Sequence, residues 1–132
     1  MIHFLGLPGA ETQRRQKDFF QRNQYIPKRG DVVWTDLDPA AGHEQTGKRP
    51  ALVLSTTPFN KKIMLAMVAP ITSRVRGHGF EAPFNGKKIK GVVLCQQVKM
   101  IDFIERGVQF AEKAPDTVTS DALARVRAIV SK

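Results

Sequence analysis

From Tyr25 onward the chain is cut into short apolar runs by glycine, proline and Asn-Gly punctuation, and only near its end does the spacing turn helical. That pattern points away from a helical bundle and toward a small β-protein. Lys28-Arg-Gly-Asp31 reads as a turn feeding a strand from Asp31 to Leu37, with Trp34 expected in the core. Ala51 to Leu54 and Ile63 to Ala69 are continuous apolar runs, of the kind that suits strands covered on both faces. Pro58 to Lys62 separates them as a turn, and Pro70 is expected to end the second. Phe80, Ala82 and Phe84 alternate with Glu81 and Pro83, which predicts an edge strand because proline is confined to edges or bulges. Asn85-Gly86 marks a turn before a central strand from Gly91 to Val98. Asp102 to Gly107 reads as a helical turn, followed by a short strand around Val108 to Phe110. Thr119-Ser-Asp-Ala supplies a helix start, after which Ala122, Leu123, Val126, Ile129 and Val130 recur at helical spacing. The expected architecture is a mainly β, compact and partly open barrel with one helix packed on it.

The 132 residues suffice for one domain with one modest core. Residues 1–24 are expected to form a peripheral, partly disordered extension: a first apolar stretch is broken by Pro8-Gly9, and 11–24 are polar with Phe19 and Phe20 as anchors. Residues 25–132 form the body. Net charge is +9, and only Arg14, Arg15, Lys17 and Arg22 of the 21 basic residues precede residue 25, so the body itself is basic. Such a balance attracts nucleic acid, an anionic surface or an acidic protein. No apolar run approaches the roughly 18 residues of a membrane span. Cys95, the lone cysteine, is expected as a buried, inert thiol in a reducing compartment. With no Cys-x-x-Cys or His-x₃-His spacing, neither a metal nor another cofactor is expected.

The chemistry concentrates in Asp38-Pro-Ala-Ala-Gly-His-Glu-Gln-Thr-Gly-Lys-Arg49, a connection too long for a tight hairpin. It gathers His43, Glu44, Lys48 and Arg49, an acid, a candidate base and two cations, as handling a phosphate ester requires. The loops at 38–49, 56–62 and 73–79 are expected to frame one groove. Phe59 and Phe80 are the aromatics on offer for stacking, and Ser73-Arg-Val-Arg-Gly77 is the segment suited to gripping a strand.

Arg29-Gly-Asp-Val-Val-Trp34, Asp38-Pro-Ala-Ala-Gly-His-Glu-Gln45, Gly47-Lys-Arg-Pro-Ala-Leu-Val-Leu54, Pro70-Ile-Thr72 and Gly91-Val-Val-Leu-Cys-Gln-Gln97 resemble, in order, the motifs of the MazF/PemK toxin family. The resemblance implies an SH3-like β-barrel with a C-terminal helix, a homodimer, and a cytoplasmic, metal-independent, sequence-selective endoribonuclease acting on single-stranded RNA. It also implies a MazE/PemI-type antitoxin whose acidic and apolar tail covers the RNA site. Carried over by position, Glu44, Arg49 and Thr72 would be catalytic. His43, Gln45, Lys48, Phe59, Asn60, Ser73, Arg74, Arg76 and Gln97 would contact substrate. One departure is Gln96, where an acid is common in the family, so a mechanism built on that acid does not transfer.

Internal RNA cleavage needs no external nucleophile, because the ribose 2′-OH can attack its own phosphate. Glu44 or His43 can take the 2′ proton. Arg49, a planar fork matched to phosphate oxygens, can neutralise the transition state, and Thr72 can donate to the same phosphate. Two rivals stand beside this reading: a non-enzymatic gyrase-binding toxin like the CcdB relatives, and an RNA-binding barrel without catalysis.

Overall fold

The computed structural model describes residues 9–22, 24–37 and 48–131. Its strands are β1 (Asp31–Thr35), β2 (Arg49–Val53), β3 (Ala66–Thr72), β4 (Glu81–Asn85), β5 (Lys90–Leu94), β6 (Lys99–Ile101) and β7 (Gln109–Lys113). They form one antiparallel sheet in the order β4-β5-β3-β2-β1-β7, with β6 also on β3. The helices are α1 (Gly9–Gln21), α2 (Thr57–Ile63), α3 (Phe103–Arg106) and α4 (Asp116–Val130). The sheet curls into a partly open barrel with α4 packed on it.

The continuous apolar runs have a simple cause: consecutive residues enter different cores. Val32, Leu52, Ala69 and Val93 join a cluster completed by Ala122 of α4. Their neighbours Val33, Ala51, Val53 and Val68 join another, completed by Phe19 of α1 and Phe103 of α3. Successive strand side chains point to opposite faces, so a sheet covered on both sides needs apolar residues at every position. Each fully buried aliphatic side chain contributes roughly 1.5–3 kcal/mol, which makes this double layer the main stabilising feature.

Four sequence expectations change in detail. β3 runs through Pro70 to Thr72 rather than stopping at the proline. Pro70 lies where the strand's outer neighbour changes, since β6 pairs with Ala66 to Val68 and β5 with Ile71 and Thr72, so little pairing depends on its missing N–H. β5 stops at Leu94, and Cys95–Gln97 form a 3-10 turn that buries Cys95. Helix α4 begins at Asp116, ahead of the Thr119 expected to start it, and Thr119 is buried inside its second turn. In β4, Ala82 and Phe84 are buried as the alternation requires, but Phe80 precedes the strand and is exposed while Glu81 is buried.

The 56–62 segment is not a turn. It is mostly helix α2, with Pro58 in its first turn and a left-handed end at Met64. Asn60 lies at its centre with 0% exposure. Its Nδ2 donates to the Pro27 carbonyl at 2.8 Å, and its Oδ1 accepts from the Ser55 hydroxyl at 2.5 Å. Asn60 is therefore a structural tie and not a substrate contact: no solvent-borne ligand reaches it.

Helix α1 docks on the α1/α3 side of the sheet. Phe19 meets Phe103 edge-to-face at 5.7 Å, and Arg15 pairs with Asp102 at 3.0 Å. Gln16 Nε2 donates to the carbonyls of Lys61 and Lys62, at the end of α2 where helical carbonyls lack partners. Asp102 in turn caps α3 by accepting from the N–H groups of Ile104 and Glu105.

At the opposite end of the strand order, a carboxylate bridges the two margins of the sheet. Glu112 of β7 is buried and accepts from the backbone N–H groups of Lys87, Lys88 and Ile89 at the tip of the β4–β5 hairpin. Burial pushes its pKa up, but these three donors and the Lys88 charge outweigh that and hold it below the ordinary value. A Cβ on Gly86 would fall 2.6 Å from the Phe84 ring and 2.7 Å from the Glu112 carboxylate, so only glycine lets the hairpin close on the clasp.

Candidate nucleic-acid interface and active site

Arg49 opens β2 and Thr72 closes β3. The register of the two strands, Ala51 with Pro70, Leu52 with Ala69 and Val53 with Val68, carries Arg49 opposite Thr72 when continued to the end of the pair. Both residues line two adjoining hollows. One, of about 500 Å³, is completed by Trp34, Lys48, Pro50, Ile71, Ser73, Lys88, Ile89 and Lys90. The other, of about 380 Å³, is completed by Leu37, Pro70, Ile71, Leu94, Gln97 and Lys99.

The electrostatics of this double cleft are one-sided. Lys48, Arg49, Lys88, Lys90 and Lys99 line it, and among the described residues no acid does. Two of these ammonium groups are steadied by neutral carbonyls: Lys88 Nζ donates to Ala111 O at 3.2 Å and Lys99 Nζ to Leu37 O at 2.8 Å. A carbonyl orients a cation without cancelling its charge, so the cleft keeps a positive field suited to a phosphodiester.

Thr72 makes one side-chain hydrogen bond among the described residues. Its hydroxyl oxygen accepts the Arg74 N–H at 3.1 Å, which leaves the hydroxyl proton free to be donated toward the cleft. The backbone behind it is fixed by close approach of β5. Gly91 has φ +150°, and a Cβ there would lie 2.0 Å from the Thr72 carbonyl oxygen. No other residue fits without moving Thr72 and Ser73.

Of the residues anticipated from sequence, Lys48, Arg49, Thr72, Ser73 and Gln97 come together in this cleft. His43, Glu44 and Gln45 lie outside the described residues. The segment that carries them leaves from Leu37 and returns at Lys48, and both of those residues line the cleft. Arg74 and Arg76 are exposed on the segment beyond Ser73 and line neither hollow. Their loop is held by Glu81, which accepts from the backbone N–H groups of Arg76 and Gly77.

The expected 56–62 wall is not part of the cleft. Phe59 lines a separate apolar hollow with Met67, Met100, Leu123 and Val126, because α2 packs toward α4. Phe80 is exposed and lines neither cleft hollow. Gln96 points away too, its side chain 3.3 Å from His78 Nε2.

The aromatic among the described residues of the cleft is Trp34, which the sequence alone places in the core. It is half-buried, packs against one core cluster and presents its remaining surface to the cleft. Its cross-strand partner is Pro50, next to Arg49, a pairing that the sequence spells only once the β1–β2 register is known. For Lys87, Lys88 and Lys90 the sequence alone leaves two readings open, a solvated turn and a phosphate contact; Lys88 and Lys90 line the cleft. Nothing local distinguishes them from Lys87, because the distinction comes from how the hairpin is clasped to Glu112.

Cys95 is buried and burial pushes its thiol pKa up, so it is no nucleophile. Among the described residues no cluster of His, Cys, Asp or Glu can hold a metal ion. No helix among them is long and apolar enough to cross a membrane.

Residues 28–130 match the family described as PemK-like, MazF-like toxin of type II toxin-antitoxin system. The endoribonuclease toxin MazF of Escherichia coli K12 is 41% identical over 85 residues, which is 64% of this chain and 77% of that protein. A crystal structure of MazF from Deinococcus radiodurans superposes with a TM-score of 0.73 at 34% identity, over 81% of this chain and 98% of that one. A MazE–MazF complex from the same organism gives 0.72 at 28% identity, over 82% and 98%. The matched span takes in every strand of the sheet and helix α4, together with the cleft they frame: the chain belongs to the PemK-like, MazF-like toxins of type II toxin–antitoxin systems.

Proposed function

We infer that this toxin is an endoribonuclease that cuts single-stranded RNA at the Arg49–Thr72 cleft. The observation that carries the reading is a guanidinium and a free hydroxyl proton side by side on a surface of five cations with no acid among the described lining residues. The relative from E. coli K12 bears the name endoribonuclease toxin, which agrees with it.

In this mechanism the 2′-OH attacks the adjacent phosphorus while Glu44 or His43 takes its proton. Arg49 binds two non-bridging oxygens and stabilises the charge that builds on them, and Thr72 donates to the same phosphate. Arg49 delivers a proton to the departing 5′ oxygen and is restored by the proton that Glu44 or His43 took from the 2′-OH, giving a 2′,3′-cyclic phosphate and a 5′-OH end. Every step uses side chains and the RNA's own hydroxyl, so no metal is required. Lys48, Ser73 and Gln97 hold the strand within the cleft, Gln45, Arg74 and Arg76 reach it from the flanking loops, and Trp34 offers a face to a base. Phe59 and Asn60 have no part in it.

The toxin domain is assigned to residues 25–132, with 1–24 as an appendage, and the protein acts in the cytoplasm. It is neutralised by a MazE/PemI-type antitoxin whose acidic tail competes for the cationic cleft. It forms a homodimer through the apolar face on which Phe59 and Met100 are exposed beside Leu123 and Val126.

The test is incubation of the purified protein with single-stranded RNA in excess EDTA, followed by mapping of the ends. Cyclic-phosphate and 5′-OH ends are expected. Intact RNA beside trapped gyrase, or RNA bound but uncut, would overturn the assignment.

A further inference from the structure

The sheet's two margins meet at Glu112 without sealing, and a hollow of about 950 Å³ remains at the seam. Asn85, Gly86, Lys87 and Lys90 line it from the hairpin, and Phe110 to Lys113 and Pro115 from the other margin. The one carboxylate among its described lining residues, Glu112, accepts three backbone N–H groups and forms no ion pair with Lys87, Lys90 or Lys113, so the wall keeps an excess of positive charge. Phe110 stands over it as an exposed aromatic, 52% accessible.

That exposure is built in. The β1–β7 register breaks between Val32 and Val33, so that Val32 faces Glu112 while Val33 faces Phe110. Neighbouring partners on β1 point to opposite faces, so the bulge separates two β7 residues that would otherwise share one. Glu112 turns inward to the clasp and Phe110 outward. The ring is braced from behind by Tyr25, edge-to-face at 6.1 Å, and the Tyr25 hydroxyl donates to Asp31. A braced, solvent-facing ring beside lysines that outnumber the one carboxylate has the parts of a single-strand platform: a π-face for a base and cations for phosphates.

The seam adjoins the cleft. Lys90 lines both hollows, and the 85–90 hairpin tip stands between them. We propose that the seam is a second RNA subsite, which takes nucleotides flanking the scissile bond by stacking a base on Phe110 and placing phosphates on Lys87 and Lys113. This rests on the endoribonuclease reading above, and it makes affinity depend on substrate length where that reading alone does not.

The test uses the full chain and two fluorescent, uncleavable 2′-O-methyl RNAs of mixed sequence, about 5 and about 12 nucleotides long, spanning the range of single-strand site sizes. The wild type is expected to bind the longer probe more tightly. Phe110→Leu, which keeps an apolar contact with Tyr25, should weaken the longer probe about fivefold or more and leave the shorter one alone. Lys87→Ala with Lys113→Ala should lower the salt slope for the longer probe by about 1.4, at roughly 0.7 per phosphate contact on a single strand. Cleavage of a short RNA by both variants should keep the wild-type rate.

Variants that retain the length advantage and the salt slope overturn the subsite, even when the wild type cleaves RNA. So do variants that lose only the binding of a polyglutamate peptide, since the seam would then serve an acidic protein partner. A length advantage that vanishes in the variants while the wild type leaves all RNA intact supports the subsite and overturns the cleavage reading instead.

Discussion

Two concavities of this barrel have opposite chemistry. The cleft at Arg49 and Thr72 collects five cations, and no described residue lining it is acidic. The hollow between α1 and α3, about 340 Å³, has two arginines and an aromatic floor of Phe19, Tyr25 and Phe103. There, however, Arg15 is tied to Asp102, and Asp18 lines the same wall as Arg22. The second hollow is a packing joint whose charges serve to fasten a helix. The first holds charge that nothing described in its wall neutralises, and this, more than shape, is why we propose it as the site.

Breaking the cleft should have the largest effect. Arg49→Ala should slow single-turnover RNA cleavage by roughly 10²–10³ while leaving the circular dichroism spectrum unchanged, the usual result of losing one charge-stabilising donor. Unaltered cleavage would remove Arg49 from the chemistry and erase the contrast between the two hollows.

The cleft wall can be broken indirectly, through the clasp. Glu112→Ala leaves three backbone donors at the hairpin tip without their acceptor and should cost about 2–3 kcal/mol in urea unfolding. The sign with pH follows from the lowered pKa of Glu112. Its stabilisation is complete above the ordinary carboxylate value of about 4.3 and is lost as pH falls from there through the lower folded value. Unfolding followed across that range should show a shallower acid loss in Glu112→Gln than in the wild type. An identical loss would mean that the clasp does not couple to stability.

Placing an acid in the cleft sharpens the comparison. Lys90→Glu gives it some of the compensated character of the α1–α3 hollow, and should weaken RNA binding about tenfold or more and reduce its salt slope by at least about 0.7. The smallest effect belongs to the packing joint. Arg15→Ala removes a half-exposed ion pair worth about 1 kcal/mol or less, and should leave cleavage unchanged. A large loss of activity there would show that the second hollow is more than a joint.

Much of the barrel was legible because its cause is local. Val32-Val33 and Ala51 to Leu54 are apolar at every position because both sheet faces are covered, and that pattern needs no tertiary knowledge to read. Arg49 and Thr72 could be named from the family resemblance, but their adjacency is a product of the β2–β3 register. What escaped depends on long-range closure. Asn60 looks like any polar residue after Pro58-Phe59 until the Pro27 carbonyl arrives over it from 33 positions away. Trp34 reads as core because its exposed edge exists only where the curled sheet opens beside Pro50. Lys88 and Lys90 separate from Lys87 only once Glu112, at least 22 positions later, fixes the hairpin tip.

The joint action of Arg49 and Thr72 on one phosphate is tested most directly by a double-mutant cycle in single-turnover cleavage, with Arg49→Ala, Thr72→Val and the pair. Two groups that grip the same atoms lose most of their benefit when either is removed. The account therefore predicts that the double variant cleaves faster than the product of the single effects would allow. Strictly multiplicative effects, or a Thr72→Val enzyme as fast as the wild type, would contradict it.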